Sequence, residues 1–198
     1  EIFLGPHLWS DRPNDRWERL LNIASKVADE YEKNYGIYTY FIIVCIRHLG
    51  PEKALEASRF AAKFQDKHVV GFGMAGDETK FNTLDFISSF DFAKASGLGI
   101  TTHAGEICGA KSVDEAIKLG VTRVGHGVRS CESEETIKNL SKENILLEVC
   151  PGSNVALGLY PSLDDHPINY LLNKDIPISI STDDPPFFST SLSKEYQD

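Results

Sequence analysis

Leu98-Gly99-Ile100-Thr101-Thr102-His103-Ala104-Gly105-Glu106 is the stretch on which the fold turns. Its start is short and apolar and reads as a buried strand. Its end breaks into a histidine, two small residues and an acid. A histidine at a strand end, with a carboxylate three residues on, can aim both groups into one pocket. The imidazole can bind a metal and the carboxyl can carry a proton. The same residues also read as a core histidine and a surface acid, and a motif this short needs its context.

Outward from this stretch the same unit recurs. Toward the N-terminus, residues 1–4 read as a strand remnant ended by Gly5-Pro6, with a polar loop after it. Residues 16–33 have helical spacing, with Trp17, Leu20, Leu21, Ala24, Val27, Ala28 and Tyr31 on one stripe. Residues 39–46 form an apolar, β-branched and aromatic run, a strand buried on both faces. Pro51 suits the first turn of a helix whose small inner face is Ala54, Leu55, Ser58, Ala61 and Ala62. Residues 69–73 are a strand, and residues 82–95 a helix. Toward the C-terminus, Ser112-Val113-Asp114-Glu115 has the form of a capping box, and Gly120 suits a helix end. Strands are expected at residues 121–124, 145–149 and 176–181, and helices near residues 134–140 and 168–172. The last residues read as the opening of another helix.

Strand and helix thus alternate roughly every 25 to 30 residues, which implies parallel strands joined by right-handed crossovers. Seven strands are counted, including the short first one. A doubly wound sheet and a (β/α)8 barrel both fit. The polar residues favour the barrel. Nearly every strand ends in chemistry: Arg47-His48, Gly76-Asp77-Glu78, His103 with Glu106, His126, Ser153-Asn154, Asp183-Asp184. A barrel gathers such ends around one mouth, and a complete one takes about 250 residues. An α/β fold with a single, incomplete barrel domain over residues 1–198 is the expectation.

Composition narrows the function. The chain has 198 residues with 29 acids and 20 bases, a net charge of −9. That field repels phosphate backbones and argues against nucleic acid as a partner. No apolar stretch approaches the roughly 20 residues of a membrane span. Cys45, Cys108, Cys131 and Cys150 show no C-x-x-C spacing, which suits a reducing, cytoplasmic compartment. The chain opens without Met on what reads as strand interior, so a longer parent protein is expected.

Gly71-Phe72-Gly73-Met74-Ala75-Gly76 matches G-x-G-x-x-G literally, but Asp77 and Glu78 stand where a pyrophosphate would need a helix N-terminus. Residues 105–112 resemble a phosphate loop with the wrong Gly-to-Lys spacing. G-x-S-x-G is absent, and so is the P-C-x-x-C half of one zinc deaminase signature. What is left is His103, Glu106, His126, Asp183 and Asp184 at three strand ends. Imidazole and carboxylate together are good zinc ligands. Turns and caps would also accommodate each of them singly.

At these residues the chain resembles the adenosine deaminase family, its bacterial members in particular. The resemblance covers essentially the whole chain. It rests on Met74-Ala75-Gly76-Asp77-Glu78, Thr102-His103-Ala104-Gly105-Glu106, Val124-Gly125-His126-Gly127, Glu148-Val149-Cys150-Pro151-Gly152-Ser153-Asn154 and Ser181-Thr182-Asp183-Asp184-Pro185, in that order. It implies a zinc-dependent (β/α)8 barrel, here with its second to eighth strands, that hydrolyses the 6-amino group of adenosine in purine salvage. His103 and Asp183 would then bind Zn2+. Glu106 would protonate the ring nitrogen N1, and His126 would orient or deprotonate the attacking water. Asp184 would bond N7, and the backbone N–H of Gly76 would meet N3. The family's H-x-H, two further zinc ligands, occurs nowhere in the sequence. The resemblance therefore implies that activity belongs to a longer protein and is lost in this chain alone. Adenine or another aminopurine is the alternative substrate, and a non-catalytic binding protein on a decayed barrel is the second alternative.

Overall fold

The structure is a computed structural model and describes residues 1–9, 14–66 and 68–197. It divides into two compact units, residues 1–100 and 101–198. The first unit opens with β1 (Ile2–Leu4), α1 (Pro6–Trp9) and α2 (Asn14–Tyr35). It continues with β2 (Phe41–Ile46), α3 (Pro51–Lys63), β3 (Val69–Ala75) and α4 (Ile87–Ala95), and closes on the first residues of β4 (Gly99–Ala104). The second unit takes up β4 and adds α5 (Ala110–Lys118), β5 (Arg123–His126), α6 (Glu134–Lys142) and β6 (Leu146–Val149). It ends with α7 (Pro151–Ala156), α8 (Ile168–Asn173), β7 (Ile178–Ile180), α9 (Pro185–Phe188) and α10 (Leu192–Glu195).

Every ladder is parallel, and every strand pairs with its neighbour in sequence. Gly71 and Phe72 of β3 pair with Gly99 and Ile100, while residues 101–104 pair with β5. A doubly wound sheet reverses its strand order at a switch point. The order β1-β2-β3-β4-β5-β6-β7 has no reversal. That is the order of a barrel, here incomplete.

In the first unit β2 is buried at all six positions, as a strand covered on both faces must be. Pro51 occupies the first turn of α3. That helix turns Ala54, Ala57, Ser58, Phe60 and Ala61 inward, with Leu55 and Ala62 only partly covered. Small residues on that face let the helix approach closely. Only part of the stripe on α2 is core: Trp17, Leu21 and Ala28 are buried, whereas Val27 and Tyr31 are half exposed. The polar loop expected after Pro6 begins instead as the short helix α1, and its residues 10–13 lie outside the described residues. The helix expected from residue 82 starts as a 3₁₀ turn, Thr83–Phe86, under a capping box of Asn82 and Asp85. Gly76, just past β3, has φ +96°, and a Cβ there would meet Nδ1 of His48 at 3.1 Å. Both facts call for glycine.

In the second unit one expected cap is not a cap. Gly109 precedes α5, and Ser112 lies inside the helix. Its hydroxyl instead accepts the backbone N–H of Gly105 at 2.8 Å. The strand expected at 121–124 is displaced to Arg123–His126, and the run at 176–181 shortens to Ile178–Ile180. Residues 150–154, read as the tail of a strand, turn directly into α7 with Pro151 in its first turn. The expected single closing helix is two short ones, α9 and α10. All four cysteines are free thiols, and Cys45 and Cys150 are buried. No helix among the described residues is long and apolar enough to cross a membrane.

Candidate active site

The second unit brings together four of the residues singled out in the sequence. His103 is the penultimate residue of β4, and Glu106 follows that strand by two residues. His126 ends β5, and Asp183 follows β7. The β4–β5 register sets His103 opposite Gly125 and Ala104 opposite His126. The imidazoles of His103 and His126 meet edge to face, with ring centroids 4.8 Å apart. Gly125 makes room for this: a Cβ there would lie 2.5 Å from Cδ2 of His103.

His126 is the centre of the group. Its Nε2 lies 3.6 Å from a Glu106 oxygen and 3.9 Å from an Asp183 oxygen. Both distances exceed a hydrogen bond. The residue is 2% exposed, and burial alone holds its pKa down to about 4. It is therefore neutral at pH 7. Its φ is +61°, and that of Asp183 is +56°. Left-handed backbone at a side-chain-bearing residue costs about 1 kcal/mol or more. At His126 the neighbouring turn is pinned by Gly127 N–H to Ala104 C=O at 3.0 Å and Arg129 N–H to Gly105 C=O at 2.9 Å. Arg129 also donates to the Ile107 carbonyl, which ties down the segment after Glu106.

Ligand-bearing atoms of His103, Glu106 and His126 lie within 4.8 Å of one another, and so do those of His126, Cys150 and Asp183. Two carboxylates thus crowd one imidazole that burial keeps uncharged. Nitrogen and oxygen donors with excess negative charge suit a divalent cation. Ser153 donates to Asp183 at 2.7 Å and fixes its carboxylate. Asp184, next along, is the N-cap of α9. Partial loss of hydration, and then the adjacent Asp183 charge, raise its carboxyl above the usual range. Gly76 belongs to the first unit, described above.

Sequence reading passed over three participants. Cys150, a motif residue to which the sequence assigned no role, stands beside His126 and Asp183. Asn154 was noted as part of a motif, but its place behind His126 was not. His166 sits in the loop between α7 and α8, 3.1 Å from Asn154. No periodic pattern surrounds it, and only its lone position before Pro167 could have drawn attention.

Comparison with known proteins fits this geometry. The sequence profile of the adenosine deaminase family matches residues 1–198. An adenine deaminase of Rhizobium rhizogenes is 45% identical over 176 residues, 88% of this chain and 54% of that protein. The crystal structure of adenine deaminase from Arthrobacter aurescens superposes with a TM-score of 0.92 at 27% identity, covering 99% of this chain and 60% of that one. An amidohydrolase from Burkholderia ambifaria, solved with bound Zn, shares the fold at 22% identity with a TM-score of 0.87, over 98% of this chain and 55% of that one. The chain spans about half the length of the curated relatives it matches. By profile and by incomplete-barrel fold, this chain belongs to the adenosine deaminase family.

Proposed function

We propose that the full-length protein is a zinc-dependent hydrolase that deaminates adenine to hypoxanthine and ammonia, acting in the cytoplasm. The observation that carries the hydrolytic deaminase is the meeting of two imidazoles and two carboxylates at parallel strand ends, with His126 Nε2 3.6 Å from Glu106 and 3.9 Å from Asp183. The substrate rests on the relatives. The sequence resemblance alone implies the nucleoside. The names of the Rhizobium and Arthrobacter proteins favour the free base.

His103 and Asp183 are the residues of this chain that would hold the metal. When bound, Zn2+ lowers the pKa of a coordinated water to about 7. The chain's own groups do the rest. The water oxygen bonds to the purine carbon that bears the amine. One water proton ends on ring nitrogen N1, delivered by Glu106. The other leaves on ammonia as the C–N bond breaks. Glu106 is suited to this work because its carboxyl sits in a site that is largely shut from solvent. Asp184, its carboxyl raised above the usual range by partial loss of hydration and then by the Asp183 charge, would bond N7.

The deciding test is kcat/KM of the zinc-loaded full-length protein on adenine and on adenosine. The proposal expects adenine to be preferred by at least tenfold. Equal or better turnover of adenosine would return the substrate to the nucleoside. Absence of ammonia release from either would overturn the reading.

A further inference from the structure

A line of polar groups stands behind His126, and its first member has a fixed direction. The backbone N–H of Ile168, at the start of α8, meets Nδ1 of His166 at 3.2 Å. A backbone N–H only donates, so this Nδ1 is an acceptor and carries no proton. A neutral imidazole then holds its proton on Nε2. That nitrogen lies 3.1 Å from Oδ1 of Asn154, which accepts. The other end of the same amide, Nδ2, lies 3.4 Å from Nδ1 of His126. An amide nitrogen donates, so Nδ1 of His126 accepts, and the proton of His126 also sits on Nε2.

The direction does not depend on which amide atom is called oxygen. With Asn154 reversed, His166 would have to accept at both nitrogens, which no neutral imidazole can do. His126, Asn154 and His166 are all buried, at 2%, 0% and 4% exposure.

We propose that Asn154 and His166 are positioning residues that hold His126 as its Nε2–H tautomer, so that His126 serves the site as a hydrogen-bond donor and not as a base. The sequence left both roles open. In this tautomer Nε2 has no lone pair with which to take a proton. It donates toward the side where Glu106 and Asp183 lie, and there it steadies an oxygen that gains charge. The movement of protons falls to Glu106. This consequence for catalysis rests on the deaminase reading, whereas the tautomer does not.

The test is a two-bond 1H–15N correlation spectrum of the full-length protein with 15N-labelled histidine, the peaks assigned with His126→Gln and His166→Gln. It reports which ring nitrogen carries the proton. His126 and His166 are both expected as Nε2–H. Asn154→Asp reverses the polarity, because a carboxylate only accepts. In that variant His126 is expected to switch to Nδ1–H, with kcat down about 100-fold and KM within about threefold, the upper range for a group that orients a site residue. His166→Gln still offers an N–H to Asn154, and is expected to keep the His126 tautomer. An Nδ1 proton on wild-type His126, or an unchanged Nε2–H in Asn154→Asp, overturns the proposal. Should Asn154→Asp not fold, the wild-type and His166→Gln spectra decide. The expected tautomers without any purine turnover would sink the deaminase reading and leave this inference standing.

Discussion

At the end of β2, Arg47 is buried at 1% exposure. Its guanidinium donates to Thr83 Oγ1 at 3.1 Å and lies 5.9 Å from the Phe86 ring centre. Past β3, Asp77 closes a turn by accepting from the Thr79 N–H at 3.0 Å and its hydroxyl at 2.6 Å. In this half of the chain, charge at strand ends is joined to partners by short bonds. In the second unit the spacing differs. Glu106 and Asp183 face His126 at 3.6 and 3.9 Å, near enough to interact with the imidazole and too far for a hydrogen bond to it. Partners that already bond hold a fold together. Two carboxylates brought within 4 Å of one buried imidazole, with His126 and Asp183 on left-handed backbone, define a place for a cation. The comparison teaches that strand-end polarity marks chemistry only where the structure leaves it room.

The largest expected effect tests the second half of that contrast. Glu106→Gln in the full-length protein should lower kcat about 10³-fold, within the usual range for losing a proton carrier. Zinc content should stay near wild type. Equal loss of both would make Glu106 a metal ligand instead. Next comes Gly125→Ala. Its methyl would displace the His103 ring, an overpacking cost of about 1–3 kcal/mol. The melting temperature and the zinc content should fall together.

Acid should separate the two halves further. His126 and His166 are each held down to about 4 from an ordinary 6.5, in both cases by burial. Below pH 6.5 the unfolded chain takes up protons that the folded chain refuses until about pH 4. Stability contributed by these groups is therefore present above pH 6.5 and lost as pH falls toward 4. The slope is at most about 1.4 kcal/mol per pH unit for each. Urea midpoints at pH 7 and pH 4.5 should differ less for His166→Gln than for wild type. The smallest effect on activity belongs to the first unit. Thr83→Val strips Arg47 of a buried partner and should cost about 1–3 kcal/mol of stability with kcat unchanged. A fall in kcat with stability intact would place Arg47 in the chemistry and break the contrast.

The sequence made some of this legible and hid the rest for physical reasons. Buried parallel strands announce themselves as apolar runs, and β2 is the clearest. His103, Glu106, His126 and Asp183 were found because barrel topology converts distant strand ends into neighbours. Ser112 misled because a capping box and an in-helix serine share one spelling, and what decided between them was the N–H of Gly105, seven residues away in the chain. Val27 and Tyr31 fitted the stripe on α2, yet a stripe on a 22-residue helix outruns the surface that covers it. His166 and Asn154 were hidden more deeply. Their meaning lies in the direction of hydrogen bonds, set by the N–H of Ile168, and direction leaves no trace in residue spacing.

The central claim is that this strand-end cluster serves hydrolytic deamination of a purine base. It is tested most directly by measuring ammonia release from adenine by the zinc-loaded full-length protein, beside its Glu106→Gln variant. Rapid, zinc-dependent release by the wild type, lost in the variant, is the expected result. Release that persists in the variant, or none from the wild type, would contradict it.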